Sequence, residues 1–225
     1  MKDFRLGLVL AILSTGVLFA AQGGWKVNYS AKKCAFASQG ENPYFVLKPG
    51  FVLEYGSEDS HLVVTVLSQT RKVDDVETRA VEERETKNGK LEEVSRNYFA
   101  ICKDTGDVCY FGEDVDMYKD GKVTDHGGSW LSGVKGAKYG VMVPGKPAKG
   151  QKYYQENAEG VAQDRAEILS VKAKIATKAG TFQDCVKTVE TSPLEPKTKE
   201  YKIYAPGVGL VKDGDLLLIK YGFKK

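Results

Sequence analysis

The stretch "VETRAVEERETKNGKLEEVSRNYFAI", residues 76–101, decides the fold. Two runs rich in β-branched and aromatic residues flank Asn88-Gly89, and a two-residue Asn-Gly link is the strongest short-range hairpin signal. Both central residues of such a turn need positive φ, which glycine and asparagine adopt at low steric cost. The same grammar runs along the chain. "YFVLK" (44–48) and "FVLEY" (51–55) flank Pro49-Gly50, and "HLVVTVL" (61–67) is a compact β-branched run. "VDMYK" (115–119) and "KVTDH" (122–126) flank Asp120-Gly121. Near the C-terminus, "KEYKIYA" (199–205), "VGLVK" (208–212) and "DLLLIKY" (215–221) are joined by Pro206-Gly207 and Asp213-Gly214. Strands at this spacing predict an all-β protein: a single strongly curved antiparallel sheet, half-barrel or barrel-like, with at most one or two short helices. The segment Glu159–Ile168 reads as helix or as strand. The Gly- and Lys-rich residues 127–150 read as a long loop with one short strand at Tyr139–Val143, and long loops in compact domains are often functional.

The N-terminus divides the chain further. Lys2 and Arg5 precede an apolar run, residues 6–20, which small residues at Ala20, Ala21 and Gly23 follow. That order reads as a secretory signal peptide over residues 1–23. Residues 24–41 then form an N-terminal extension, and 42–225 a single β domain. No cysteine follows the apolar run directly, so a lipid-modified N-terminus is not expected, and no later run is long enough to span a bilayer. The expected location is exported, periplasmic or extracellular.

The formal charge of +3 includes Lys2, Asp3 and Arg5, so without the leader it is +3 − 1 = +2. Acids and bases are interspersed, and the aromatics lack basic neighbours. That excludes a nucleic-acid platform. The charged run Glu77, Arg79, Glu82, Glu83, Arg84 and Glu85 reads as a strand pair projecting into water, or as an acidic partner-binding face.

All four cysteines, Cys34, Cys102, Cys109 and Cys185, lie beyond the leader and read as disulfide formers. If Thr105-Gly106 is a two-residue turn, Cys102 stands opposite Cys109 and a bridge is in reach. Cys34 and Cys185 would then pair. A longer turn shifts the register and spoils the first bridge. Other connectivities stay open. A redox dithiol would favour Cys-x-x-Cys at a helix start, and a zinc site would need more ligands than His61 and His126 supply nearby.

Other motifs give no catalytic, cofactor or metal residue. Glu113, Asp114 and Asp116 lack the spacing of an EF-hand loop. "GVMVPGKP" (140–147) has Pro147 where a phosphate loop needs Ser or Thr. Asp125-His126 with Ser129 or Ser132 holds triad-type residues without an oxyanion-hole signature. Among the aromatics, Trp130, Tyr110, Tyr153 and Tyr154 are the candidates for a ligand pocket, with Trp130 at its mouth.

"NPYFVLKPG" (42–50), "YFGEDVDMYKDGKV" (110–123), "YYQE" (153–156), "AGTFQDCVKT" (179–188), "PLEP" (193–196) and "YAPGVGLVKDG" (204–214) resemble a family of bacterial exported proteins of unknown function. The "AGTF-x-x-C" and "YAPGVGLV" elements also resemble periplasmic curved-sheet proteins of the lipoprotein-carrier, half-barrel type. That likeness implies a concave sheet sheltering an acyl chain or a partner peptide. The expected function is therefore a non-enzymatic exported binding protein for a hydrophobic small molecule or an envelope protein. The alternative is an interaction module with a filled core. An enzyme, hydrolase or metal-dependent, ranks third.

Overall fold

The computed structural model describes Gly24, Trp25 and residues 34–224. The predicted signal peptide, 1–23, lies outside the described residues. In chain order the strands are β1 (Phe36–Ala37), β2 (Gly40–Asn42), β3 (Phe45–Leu47), β4 (Phe51–Gly56), β5 (Ser60–Val73), β6 (Val76–Lys87), β7 (Lys90–Cys102), β8 (Val108–Lys119), β9 (Lys122–Asp125), β10 (Trp130–Leu131), β11 (Lys138–Val143), β12 (Lys152–Tyr154), β13 (Glu156–Asn157), β14 (Arg165–Thr177), β15 (Gly180–Thr191), β16 (Glu200–Ala205), β17 (Gly209–Asp213) and β18 (Leu216–Phe223). There is no helix among the described residues, so Glu159–Ile168 resolves into a turn and the start of β14.

Thirteen strands run in the antiparallel order β12-β14-β15-β16-β17-β18-β4-β5-β6-β7-β8-β11-β13, and the sheet curls almost into a closed barrel with one unsealed seam. The two edge strands, β12 and β13, are consecutive in sequence, so the chain itself crosses the seam at Gln155. Here Gly140 of β11 lies against the backbone of Tyr154 and Gln155: a Cβ on Gly140 would stand 2.2 Å from the Gln155 carbonyl oxygen. The amides of Gln155 and Glu156 both donate to the Asp164 carbonyl. Two residues sharing one partner form a bulge, which turns consecutive side chains toward the same side.

The turns follow the backbone logic of the sequence. Asn88 and Gly89 have φ of 50° and 75°, and Asp120 and Gly121 have 52° and 75°. The β5–β6 turn uses Asp74 and Asp75, at 48° and 63°, with no glycine; aspartate tolerates this region better than most residues. The short strand expected at Tyr139–Val143 is present as part of β11.

Residues 34–42 are part of the body, not an extension outside it. Phe36 and Ala37 pair with Cys102 and Ile101, and β2 pairs with β3. Cys34 is bonded to Cys102, with Cα atoms 5.6 Å apart, while Cys109 and Cys185 are buried and take no part in that bridge. The expected Cys102–Cys109 and Cys34–Cys185 bridges are therefore corrected. The reason is register. Ile101 pairs with Val108 and Ala100 with Cys109, so the link is longer than Thr105-Gly106 alone. Cys109 stands opposite Ala100, and Cys102 is left facing the β1 segment.

Candidate functional site

The inward residues form cross-strand rungs. Leu53, Val64, Glu83, Ser95 and Val115 succeed one another from β4 to β8. The rung Val66, Val81, Asn97 and Glu113 runs on one side of it, and Leu62, Glu85 and Glu93 on the other. Because side chains alternate along a strand, one face of a hairpin can carry acids inward while the other meets solvent. The charged run of the first hairpin thus divides: Glu83 and Glu85 point into the barrel, while Glu82 on the outside meets Arg96 at 3.6 Å.

The lumen wall is two-sided in character. One part is apolar, with Phe45, Phe51, Leu53, Val66, Phe99 and Leu210 around a cavity of about 220 Å³. The same cavity reaches Glu83, Glu93, Glu113, Glu156 and Asp213, with Lys202 the only basic residue in its wall among the described residues. Through Glu93, Glu113 and Glu156 it adjoins a second cavity of about 550 Å³, where Asp164, Glu190 and Glu200 are added. Val161 and Leu194, both exposed, line this outer part.

Lys202 sits opposite Thr188 on β15 and Asp213 on β17. Its Nζ is 3.1 Å from Asp213 Oδ1, 3.3 Å from Glu190 Oε2 and 3.9 Å from Glu200 Oε2. Burial opposes its charge most, but Glu190, Asp213, Tyr204 and Glu200 together outweigh it and hold the ammonium's pKa well above its ordinary value. No ion pair to Glu83, Glu93, Glu113 or Glu156 is present among the described residues.

Those acids touch the lumen yet are surrounded by protein, so the charged form is poorly solvated. Burial, then Asp213, pushes Glu83 up to about 7. Burial, then Glu83, pushes Glu113 up to about 8. Glu156 is raised well above the usual carboxylate range by burial and by Glu113. Glu85 and Glu93 are raised by burial first, and Glu93 then by Glu85. Burial also lifts Glu190 and Glu200 against the pull of Lys202, and it raises the inward phenols of Tyr55, Tyr110 and Tyr204 well above theirs.

Four buried side-chain polar atoms lack a hydrogen-bond partner among the described residues: Trp130 Nε1, Gln155 Oε1, Thr188 Oγ1 and Asp213 Oδ1, the last of which faces the Lys202 ammonium. Gln155 is 2% exposed; its Nε2 donates to Glu190 Oε1 at 2.9 Å and touches the sulfur of Met142, which lines the first cavity. Thr188, 1% exposed, lies on the same face of β15 as Glu190. Neither residue lines the two lumen cavities.

The four predicted pocket aromatics are all buried and fare differently. Tyr110 lines the lumen cavity, donates to Asn97 Oδ1 at 2.5 Å and stacks on Phe99 at 4.7 Å. Trp130 is not at a mouth. It packs edge-on behind Tyr110, with ring centres 5.4 Å apart. Tyr153 lines a separate small cavity beside Val141 and Lys146, and Tyr154 packs against Trp25. The acids were missed because an inward glutamate and an outward one look alike in sequence; the signal available was Glu83, Glu85 and Glu93 at alternate positions on a strongly β hairpin.

The other sequence candidates are structural. Asp114 is 2.5 Å from Arg71 and accepts from the Tyr98 hydroxyl on the outer face; Asp116 meets Arg96 and His126. Ser132 Oγ donates to Asp74 and accepts from the Tyr139 amide, and Ser129 Oγ accepts from the Val115 amide, so neither is paired with His126. Asp125 Oδ1 accepts from the amides of His126 and Gly127. The chain matches no family model, no curated protein and no solved structure.

Proposed function

We propose that this chain is an exported binding protein that holds a small amphiphilic molecule inside the barrel. The observation that carries the reading is the two-sided lumen: apolar side chains around one part of the cavity and carboxylates around the rest. Ligand sites are mostly apolar concavities with a few convergent polar groups. The apolar part suits a short hydrocarbon segment, and the acidic part opens into the larger outer cavity. The Cys34–Cys102 bridge is compatible with an oxidising, exported location.

A neutral apolar dye, N-phenyl-1-naphthylamine, tests this reading. The native protein binds it saturably, with a rise in fluorescence. Val64→Phe, which fills the cavity wall between Leu53 and Glu83, lowers the affinity at unchanged circular dichroism. Absence of saturable binding in the native protein would overturn the proposal.

A further inference from the structure

We infer that the lumen is a blind pocket whose floor is Phe45 of β3, so that it admits one apolar chain, tail first, and sets a limit on that chain's length. This rests on the lumen being a ligand site at all.

Three observations carry it. The first is a closed end. The β7–β8 turn, the β11–β12 loop and the β16–β17 turn all follow strands that run in one direction, so the antiparallel order gathers them at one end of the barrel. The β2–β3 hairpin is fastened to each of them. Asn42 Nδ2 donates to the carbonyls of Gly106 and Pro144, at 2.8 and 3.2 Å, and the Gly207 amide donates to the Pro43 carbonyl at 2.7 Å. The Tyr44 hydroxyl donates to the Asp184 carbonyl on β15 at 3.2 Å. Asn42 is buried, where water competes little for its bonds, so the hairpin is held across the opening.

The second observation is what the hairpin presents. Phe45 and Val46 both line the apolar part of the lumen cavity. Side chains alternate along a strand, so two consecutive residues touch one cavity where the strand crosses its end rather than forming its wall. Phe45 packs on Phe99 of the wall, with ring centres 5.1 Å apart.

The third is the opposite end. There the cavity continues past Glu93, Glu113 and Glu156 into the larger one, whose rim carries the exposed Val161 and Leu194. Val161 precedes β14 and Leu194 follows β15, at the end of the barrel away from the β7–β8 turn. A ligand enters there, and its polar head stays among polar side chains while its chain runs toward Phe45. At about 220 Å³ the apolar part is smaller than the roughly 300–1,000 Å³ of sites for drug-sized molecules, so it suits one chain and not two.

Displacement of N-phenyl-1-naphthylamine by the 1-alkanols from 1-butanol to 1-dodecanol tests the floor. Each methylene that enters apolar surroundings should tighten binding about fourfold. The gain should stop within the series, where the chain reaches Phe45. At unchanged circular dichroism, Phe45→Leu should move that break to a longer alcohol and Phe45→Trp to a shorter one. A gain that continues unbroken to 1-dodecanol in the native protein, or a break that neither variant moves, would overturn the floor. The native protein alone gives a second reading. A decanol carrying a diazirine at its far end, photolysed when bound, should label peptides that contain Phe45 or Phe99. Label in the loops of Val161 or Leu194 instead would overturn the orientation. Dye binding with no displacement by any alkanol would overturn the chain assignment and leave the lumen reading standing. Absence of dye binding would overturn both.

Discussion

Glu85 and Glu93 stand directly opposite each other across the β6–β7 ladder, both on the lumen side. Like charges in that position repel, and here burial adds to the cost. Each carboxyl is accordingly raised above its ordinary pKa. Replacing Glu93 with glutamine should stabilise the ligand-free protein by about 0.5–1 kcal/mol at pH about 8. At pH about 4, where both groups carry protons, the gain should vanish. Urea denaturation of both proteins at the two pH values measures this.

Glu83 and Glu113 set a wider pH dependence. Both titrate at about 7 and about 8 in the barrel, against 4.5 for an ordinary glutamate. Below about 4.5 the folded and unfolded chains are both protonated, and stability from these groups is full. As pH rises toward about 8 the unfolded chain ionises freely and the folded one does not, so that stability is lost, on the order of a few kcal/mol for the two together. Glu83→Gln/Glu113→Gln should therefore flatten the fall in urea midpoint between those limits. A variant profile parallel to that of the native protein would contradict the prediction.

Lys202 holds three acids together. Lys202→Met leaves Glu190, Glu200 and Asp213 without their cation, and removing one member of a buried ion network costs about 3–5 kcal/mol. The loss should be large at pH about 8 and shrink at pH about 4.5, as Glu190 and Glu200, both raised by burial, take up protons. Thermal melts at both values give the comparison.

The Cys34–Cys102 bridge spans 68 residues of sequence. Closing a loop of that length stabilises by up to about 4 kcal/mol in the chain-entropy picture. Cys34→Ala/Cys102→Ala should lower the melting temperature accordingly. Alkylation of the denatured, unreduced native protein should add two labels, on Cys109 and Cys185. Zero or four labels would contradict this pairing.

Gly140 packs against the chain where it crosses the seam. Gly140→Ala places a methyl 2.2 Å from the Gln155 carbonyl oxygen, a contact only backbone movement can relieve. We expect a loss of about 3 kcal/mol or more. Gly121→Ala meets no neighbouring atom, carries only the strain of its positive φ, and should lose about 1 kcal/mol. Equal losses in the two variants would remove the special role of the seam.

Much of the fold was legible in the chain, because its signals are local. Asn88-Gly89 and Asp120-Gly121 encode turns in two dihedrals each, and the β-branched runs between turns leave little but antiparallel neighbours. Asp74-Asp75 escaped notice, since aspartate enters the left-handed region less often than glycine and leaves a weaker mark. Tyr110 was found as a cavity residue. Trp130 was misplaced because an aromatic beside a glycine-rich loop can face a mouth or pack behind the wall.

The sequence by itself determined the strand class, the tight hairpins and the even number of cysteines. These rest on backbone dihedrals and composition, which each segment carries alone. Only the tertiary structure decided three things: that Cys102 meets Cys34, that the chain crosses the barrel seam at Gln155, and that Glu83, Glu93, Glu113 and Glu156 share one lumen. Each depends on register and curvature. A shift in the 102–109 turn redirects a cysteine, and alternation says which residues share a face but not whether that face is inside. Curling the sheet made the acidic face the interior, and there the loss of water raised Glu83, Glu113 and Glu156 far above ordinary glutamates.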